Sequence, residues 1–338
     1  MGGSAFTLSS HGFTTSRMTQ SLYTTLSKSI LPLLQLYFRT VSIPPEAPGK
    51  LSYGDLDIMV SKPLDLHPHD AILQFCSRAL GDRCKAFIYN LPTTNIAVVC
   101  EDIVVQVDVH VVERDEVWEI DYWMHSWGDM GMIVSSIIKA WGLRLSASRG
   151  LWVEIPGRPV FRLSFSMARI AAFLGLDWER CQRGYATTQE LFEWIEEITI
   201  NGERVGVKSK GKLEMRVHND RPMWVAFWSR GEDVAYSPSE EEKRRVFEHA
   251  LDYFGKMEEY NEVMTQLAKE KSAKGKFNGT KVMEWTGVYG KNLGELMKLL
   301  KQDERIKNVD QLIKMKEDDI KALVLEYHHG MSYRRTIS

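Results

Sequence analysis

The 338-residue chain lacks most of the features that would place or brace a protein from outside. It has four cysteines, Cys76, Cys84, Cys100 and Cys181, with no C-x-x-C pair and no Cys/His spacing of a zinc site. That excludes a disulfide framework or a zinc ribbon as the organising element, and leaves reduced, mostly buried thiols as the expectation. No apolar run approaches the roughly 20 residues that span a bilayer. The N-terminus has no apolar signal core, and Phe6 stands where a myristoylation site wants serine or threonine. The expectation is a soluble, intracellular protein with no membrane partner; cytoplasmic and nuclear residence are not separable from sequence, and protein partners are unknown. An excess of charge is missing too: 43 Lys and Arg against 45 Asp and Glu give a formal −2. A protein that coats a polyanion with its whole surface is excluded, so any nucleic acid has to be met by a local basic patch. No internal repeat is present.

What is there suffices for a substantial core: 44% hydrophobic residues and 10 Trp. The length allows one large or two modest domains. Residues 1–16, rich in Gly, Ser and Thr, read as a flexible N-terminus. Leu22, Leu26, Ile30, Leu33, Leu34 and Tyr37 predict a helix over 19–38, with Pro32 as a kink. Three prolines and a glycine between Ser42 and Lys50 make a loop. Strands are predicted over Leu56–Val60, Ala86–Tyr89, Ile96–Cys100 and 103–112, the last two joined by a tight turn at Glu101-Asp102. A helix opens at His67–Asp70. These elements describe an α+β core with a mixed sheet over 17–122. The remainder reads as mainly helical. A second domain over 123–270 has helices at 129–143, 165–174, 188–197 and 240–270, the last begun by a Ser239/Glu242 capping box. It carries a basic β/loop insertion at 201–235 with Lys208, Lys210, Lys212, Arg216 and Arg221. A small helical tail at 271–338 follows a polar break.

Two segments carry the chemistry. Tyr53-Gly54-Asp55-Leu56-Asp57-Ile58 puts two carboxylates on one face of a strand, because side chains alternate. Ile103-Val104-Val105-Gln106-Val107-Asp108-Val109-His110 sets a third in an apolar strand, where an acid without a role is costly. Three carboxylates on adjacent strands repel. A divalent cation makes them compatible, and oxygen-rich sites suit Mg²⁺ with substrate phosphates. That combination points to nucleotidyl transfer.

The segment 37–112 resembles the catalytic core of the polymerase-β-like nucleotidyltransferase superfamily. Gly54-Asp55-Leu56-Asp57-Ile58 is similar to its Asp-x-Asp strand, and Val107-Asp108-Val109 to its third carboxylate. The resemblance covers about the first third of the chain and implies a polymerase-β-like palm followed by helical domains. It implies that Asp55, Asp57 and Asp108 are catalytic, that they bind Mg²⁺ or Mn²⁺, and that a nucleoside monophosphate passes from a nucleoside triphosphate to a hydroxyl as pyrophosphate leaves. The sequence departs at the Gly-Ser turn that the family sets before the first strand. The nearest counterpart is Val41-Ser42, without the glycine; Gly49-Lys50-Leu51-Ser52 lies close to the strand. The candidates for holding the nucleotide are therefore Ser42, Lys50, Ser52, Gly54 and Lys139. RNA is the favoured acceptor partner, through its 3′ end. A small-molecule or second-messenger acceptor, and an inactive binding module of the same fold, are the rival readings. His110 shares the strand face of Asp108 and reads either as lining the acceptor site or as a structural histidine. Arg39, His67, His69 and the glycines of 285–294 read more simply as surface charge, a helix-start loop and a tight helix–helix turn.

Overall fold

Helix α1 (Gln20–Leu34) starts where the Thr19 hydroxyl accepts from the amide of Leu22, engaging one of the amides that a helix start leaves unpaired. Tyr23, Leu26, Ile30 and Leu34 form its buried stripe. Pro32 falls in the last turn, and the helix ends at Leu34 rather than at the expected Phe38. Phe38 instead opens a strand. The computed structural model describes residues 3–6, 13–90, 92–206, 218, 220–230 and 237–337. They divide into two units, Met1–Phe254 and Gly255–Ser338.

The first unit is built on a five-stranded mixed sheet. Its strands are β2 (Phe38–Ser42), β4 (Asp55–Pro63), β5 (Cys84–Asn90), β6 (Thr93–Cys100) and β7 (Ile103–Val111), in the order β2-β4-β7-β6-β5. Only β4 and β7 run parallel. A short antiparallel bridge joins β1 (Met18–Thr19) to β3 (Ser52–Tyr53). Leu56, Ile58 and Val60 of β4 and Val105, Val107 and Val109 of β7 enter one core with α1 and with Ile72 and Phe75 of the segment after α2 begins (Pro68–Gln74). Period-two alternation then sends Asp55, Asp57, Gln106, Asp108 and His110 to the opposite face.

Beyond the sheet come α3 (Trp118–His125) and α4 (Met130–Ala140). The chain then departs from the helical expectation. A three-stranded antiparallel sheet, β8 (Leu143–Ser146), β9 (Gly150–Ile155) and β10 (Arg158–Ser164), occupies 143–164. Its cause is legible in hindsight: Leu151, Val153 and Ile155 alternate with Trp152 and Glu154, and Gly150 and Gly157 take left-handed turns. Helices α5 (Met167–Phe173), α6 (Trp178–Arg183) and α7 (Thr188–Glu196) follow, then the hairpin of β11 (Thr199–Ile200) with β12 (Glu203–Arg204), and α8 (Pro222–Trp228). Lys208, Lys210, Lys212 and Arg216 lie outside the described residues. The capping box of Ser239 and Glu242 opens α9 (Glu240–Tyr253).

The expected single helix to 270 is two. Gly255, at φ +67°, ends α9, and α10 (Met257–Lys276) begins the second unit. The predicted boundary at 270 therefore falls inside α10. In this unit Val282, Leu296, Leu300, Ile320 and Val324 are fully buried against one another. The helices α11 (Gly279–Thr286) and α12 (Gly290–Leu300) are separated at Gly287, which is left-handed with open space around it. Among the described residues no helix is long and apolar enough to cross a membrane. The four cysteines are thiols, Cys76 and Cys181 buried.

Candidate functional site

The parallel pairing of β4 with β7 sets Asp57 opposite Asp108 and Asp55 opposite Gln106. It brings oxygens of Asp55, Asp57 and Asp108 within 4.8 Å of one another, each residue part-buried. Burial pushes Asp57 up to about 7, with the charges of Asp55, Asp108 and Glu46 adding and His125 pulling the other way. Asp108 rises to about 6, through burial and then Asp55, held back by its hydrogen bonds from Asn95 and Gln106. The cluster thus resists full ionisation on its own and invites a cation.

Four supporting groups have no place in the sequence reading. Asn95, opposite Asp108 on β6, donates to its Oδ1 at 2.9 Å. Gln106, 3% exposed, donates from one nitrogen to both oxygens of Asp108 at 2.9 and 3.0 Å. It lies two residues before Asp108, so strand alternation alone could have found it. Glu46 adds charge from the loop. The fourth group is the N-terminus. The Gly3 amide donates to Asp55 Oδ2 and the Ala5 amide to Gln106 Oε1, both at 3.0 Å. Thr15 donates to the Gly3 carbonyl at 2.7 Å, and Phe6 is buried and stacked on Phe13. The expected flexibility of 1–16 does not describe Gly3–Phe6 or Phe13–Ser16, because the burial of Phe6 and the hydrogen bonds donated by the Gly3, Ala5 and Ser16 amides to β4 and β7 fasten them.

The remaining predicted residues are distributed around this centre. Gly54 adjoins Asp55, and a side chain at Gly3 would come within 2.2 Å of its carbonyl. Ser42 ends β2 opposite Met59. Ser52 is exposed and engaged by Arg17, which donates to its hydroxyl and carbonyl at 2.8 Å. Lys50 forms an ion pair with Glu46 at 2.6 Å and stands over the Tyr53 ring. Lys139 is exposed in the last turn of α4, and among the described contacts its ammonium makes none to the carboxylates. Arg221 pairs with Asp129 at 2.6 Å at the start of α8, a structural tie. The loop where the resemblance implies a Gly-Ser turn is fastened instead. Trp127 N donates to Pro45 O at 2.6 Å, Tyr122 OH to Ile43 O at 3.1 Å, and Thr188 to Pro48 O at 3.1 Å. Under it lies a cavity of about 540 Å³ walled by Trp118, Tyr122, Trp123, Trp127 and Trp178.

No family model matches the chain, and no curated protein matches it. Among solved structures it is similar to the polymerase beta of Leishmania infantum in a ternary P/T complex, at 12% identity and a TM-score of 0.33. The match covers 42% of this chain and 60% of that one, so the chain spans less than two thirds of that polymerase. The likeness is too slight to assign a fold or an activity.

Proposed function

We propose that the chain is a divalent-cation-dependent nucleotidyltransferase, moving a nucleoside monophosphate from a nucleoside triphosphate to a hydroxyl. The observation that carries this reading is the meeting of three part-buried carboxylates within 4.8 Å on two parallel strands. The donor set fits Mg²⁺ or Mn²⁺, since all three ligands are oxygen and two of the acids stay above their ordinary range until a cation offsets their charge. When bound, such ions stabilise the attacking and leaving oxygens of an in-line displacement at the α-phosphate.

The chain's own residues would position and deprotonate. Asn95 and Gln106 hold the Asp108 carboxylate in one orientation, which suits it to take the proton of the acceptor hydroxyl. Gly54, Ser42, Ser52, Lys50 and Lys139 are the candidates for the triphosphate; Lys50 has to exchange Glu46 for a phosphate oxygen. The aromatic cavity beside Pro45 is the candidate for the base, because aromatic faces stack any base. The favoured acceptor is an RNA 3′ end, from the extent of the helical part and its basic clusters. A small-molecule acceptor is the rival. The reading as a non-catalytic module draws on the fastened Pro-rich loop and on Val41, which stands before Ser42 where the resemblance implies a glycine.

The test is transfer of label from each α-labelled nucleoside triphosphate, with Mg²⁺ or Mn²⁺, onto short RNA and DNA. The control is Asp55→Asn/Asp57→Asn. Incorporation by the wild type that vanishes in the control supports transfer and names the base and acceptor. Cation binding without incorporation on any acceptor, small hydroxyl compounds included, favours the module.

A further inference from the structure

The face that carries Asp108 holds a second cluster. His110 follows Asp108 by two residues on β7 and shares its side of the sheet. Asp121 and His125 lie one turn apart on α3, also on a common face. Asp121 Oδ2 is 3.1 Å from His110 Nε2, and Oδ1 is 3.1 Å from His125 Nδ1. Asp121 is 6% exposed. The hydrogen bond of His125 Nδ1 goes to the main-chain carbonyl of Asp121 at 2.9 Å. Oδ1 is left buried without a hydrogen-bond partner.

His110 is oriented from behind. Its Nδ1 is 2.9 Å from Thr93 Oγ1, and Nε2 is the nitrogen aimed at Asp121. A metal-ligating imidazole has this arrangement, one nitrogen toward the ion and the other fixed by a neighbour. The 3.1 Å between His110 Nε2 and Asp121 Oδ2, a hydrogen bond when no ion is present, is close to the roughly 3.3 Å between donor atoms of a tetrahedral ion with bonds of about 2.0–2.1 Å. His125 joins by exchanging its hydrogen bond to the Asp121 carbonyl for the ion. All three donors lie within 4.8 Å of one another. A cavity of about 430 Å³ opens on the same three side chains and continues past Arg114 to Ser146 and Ser148.

We propose that His110, Asp121 and His125 form a second metal site, for a first-row divalent ion of the zinc class, with its fourth position facing this cavity. Two imidazoles and one carboxylate favour Zn²⁺ or Co²⁺, whereas three carboxylates suit Mg²⁺ or Mn²⁺. The site does not depend on the transferase reading. It ties the end of β7 to α3 and presents an exchangeable position to a small anion or water.

The experiment is Co²⁺ titration of the metal-stripped full chain, followed by visible absorption. Low-coordinate Co²⁺ with nitrogen ligands absorbs far more strongly than octahedral Co²⁺ in an oxygen cage. One equivalent should give intense visible bands, and Zn²⁺ should displace them. The bands should survive in Asp55→Asn/Asp57→Asn. His110→Gln and Asp121→Asn should weaken binding at least a hundredfold. His125→Gln, at a part-exposed position, gives the same readout if the buried variants fail to fold. Wild type without intense bands, bands that persist in folded His110→Gln and His125→Gln, or bands lost with Asp55 and Asp57 would each overturn the proposal. The last would place the ion in the carboxylate cluster.

Discussion

The backbone amide of Gly3 donates to Oδ2 of Asp55 at 3.0 Å, so the chain's own N-terminal segment occupies an oxygen of the candidate cation site. An amide proton and a cation compete for that lone pair. Gly3 sits at φ +83° with the Gly54 carbonyl 2.2 Å from where a side chain would begin, so Gly3→Ala should lift the segment. Mn²⁺ affinity, followed by paramagnetic resonance of the free ion, should rise several-fold in Gly3→Ala and in a variant lacking residues 1–6. The deletion should also lose about 2 kcal/mol of stability with the burial of Phe6. Unchanged Mn²⁺ affinity in both would mean that the segment does not compete.

Asp57 makes stability depend on pH in the reverse of the usual carboxylate sense. Its folded value is about 7 against an ordinary 3.8, so between these the folded state binds more protons than the unfolded. Stability from this group is therefore highest below about 4 and falls as pH rises through about 7. Asp108, at about 6, acts in the same direction. In denaturant titrations without divalent ions, Asp57→Asn should be more stable than wild type at pH 8 by about 2 kcal/mol. The gap should narrow toward pH 4 and shrink when Mg²⁺ is added to the wild type. A wild type that gains stability from pH 5 to 8 relative to the variant would contradict this assignment.

Asp121 shows the opposite sign. Burial works to raise it, but His110 and His125 outweigh that and hold it at about 2. Its contribution is present above about 4 and lost as pH falls through about 2. Asp121→Asn should therefore flatten the acid limb of the stability profile between pH 4 and 2. Melts across that range, compared with wild type, read the effect directly.

Gln106 links two parts of the site, since it donates to both oxygens of Asp108 and accepts from Ala5. Gln106→Met keeps the volume and removes both. The loss should lower transfer activity about tenfold through misorientation of Asp108, and raise the pH at which activity appears. Stability should fall by about 1–3 kcal/mol, because the Asp108 carboxylate and the Ala5 amide each lose a partner that methionine does not replace.

The carboxylate cluster was legible because strand alternation is a local rule. Asp55 and Asp57 two residues apart, and Asp108 among valines, determine a face before any pairing is known. Asn95 was missed because the predicted strand began at Ile96; the tight turn at Glu101-Asp102, with Glu101 at φ +54°, sets the register that places Asn95 opposite Asp108. The strands at 143–164 were hidden by the helical pattern around them, although Leu151, Val153 and Ile155 alternate cleanly. The hold of Gly3 on Asp55 links residues 52 positions apart through one amide, and no composition rule signals such a contact. Asp121 and His125 stand at helical spacing, but His110 joins them only once β7 packs beside α3.

Arg221 separates a structural cation from a nucleic-acid contact. The sequence groups it with Lys208, Lys210, Lys212 and Arg216 as one basic segment. Its guanidinium is 2.6 Å from Asp129, whose other oxygen accepts the Trp224 amide at 3.2 Å. Asp129 is 8% exposed, so removing the arginine leaves a carboxylate in poor contact with water. Arg221→Met should lower stability by about 1–2 kcal/mol, discounted because the arginine is itself part-exposed. A phosphate-binding arginine would behave otherwise: its loss would spare stability and reduce the salt slope of RNA binding by about one. Thermal melts together with RNA binding at two salt concentrations decide between the two. We expect the melt to move and the slope to stay.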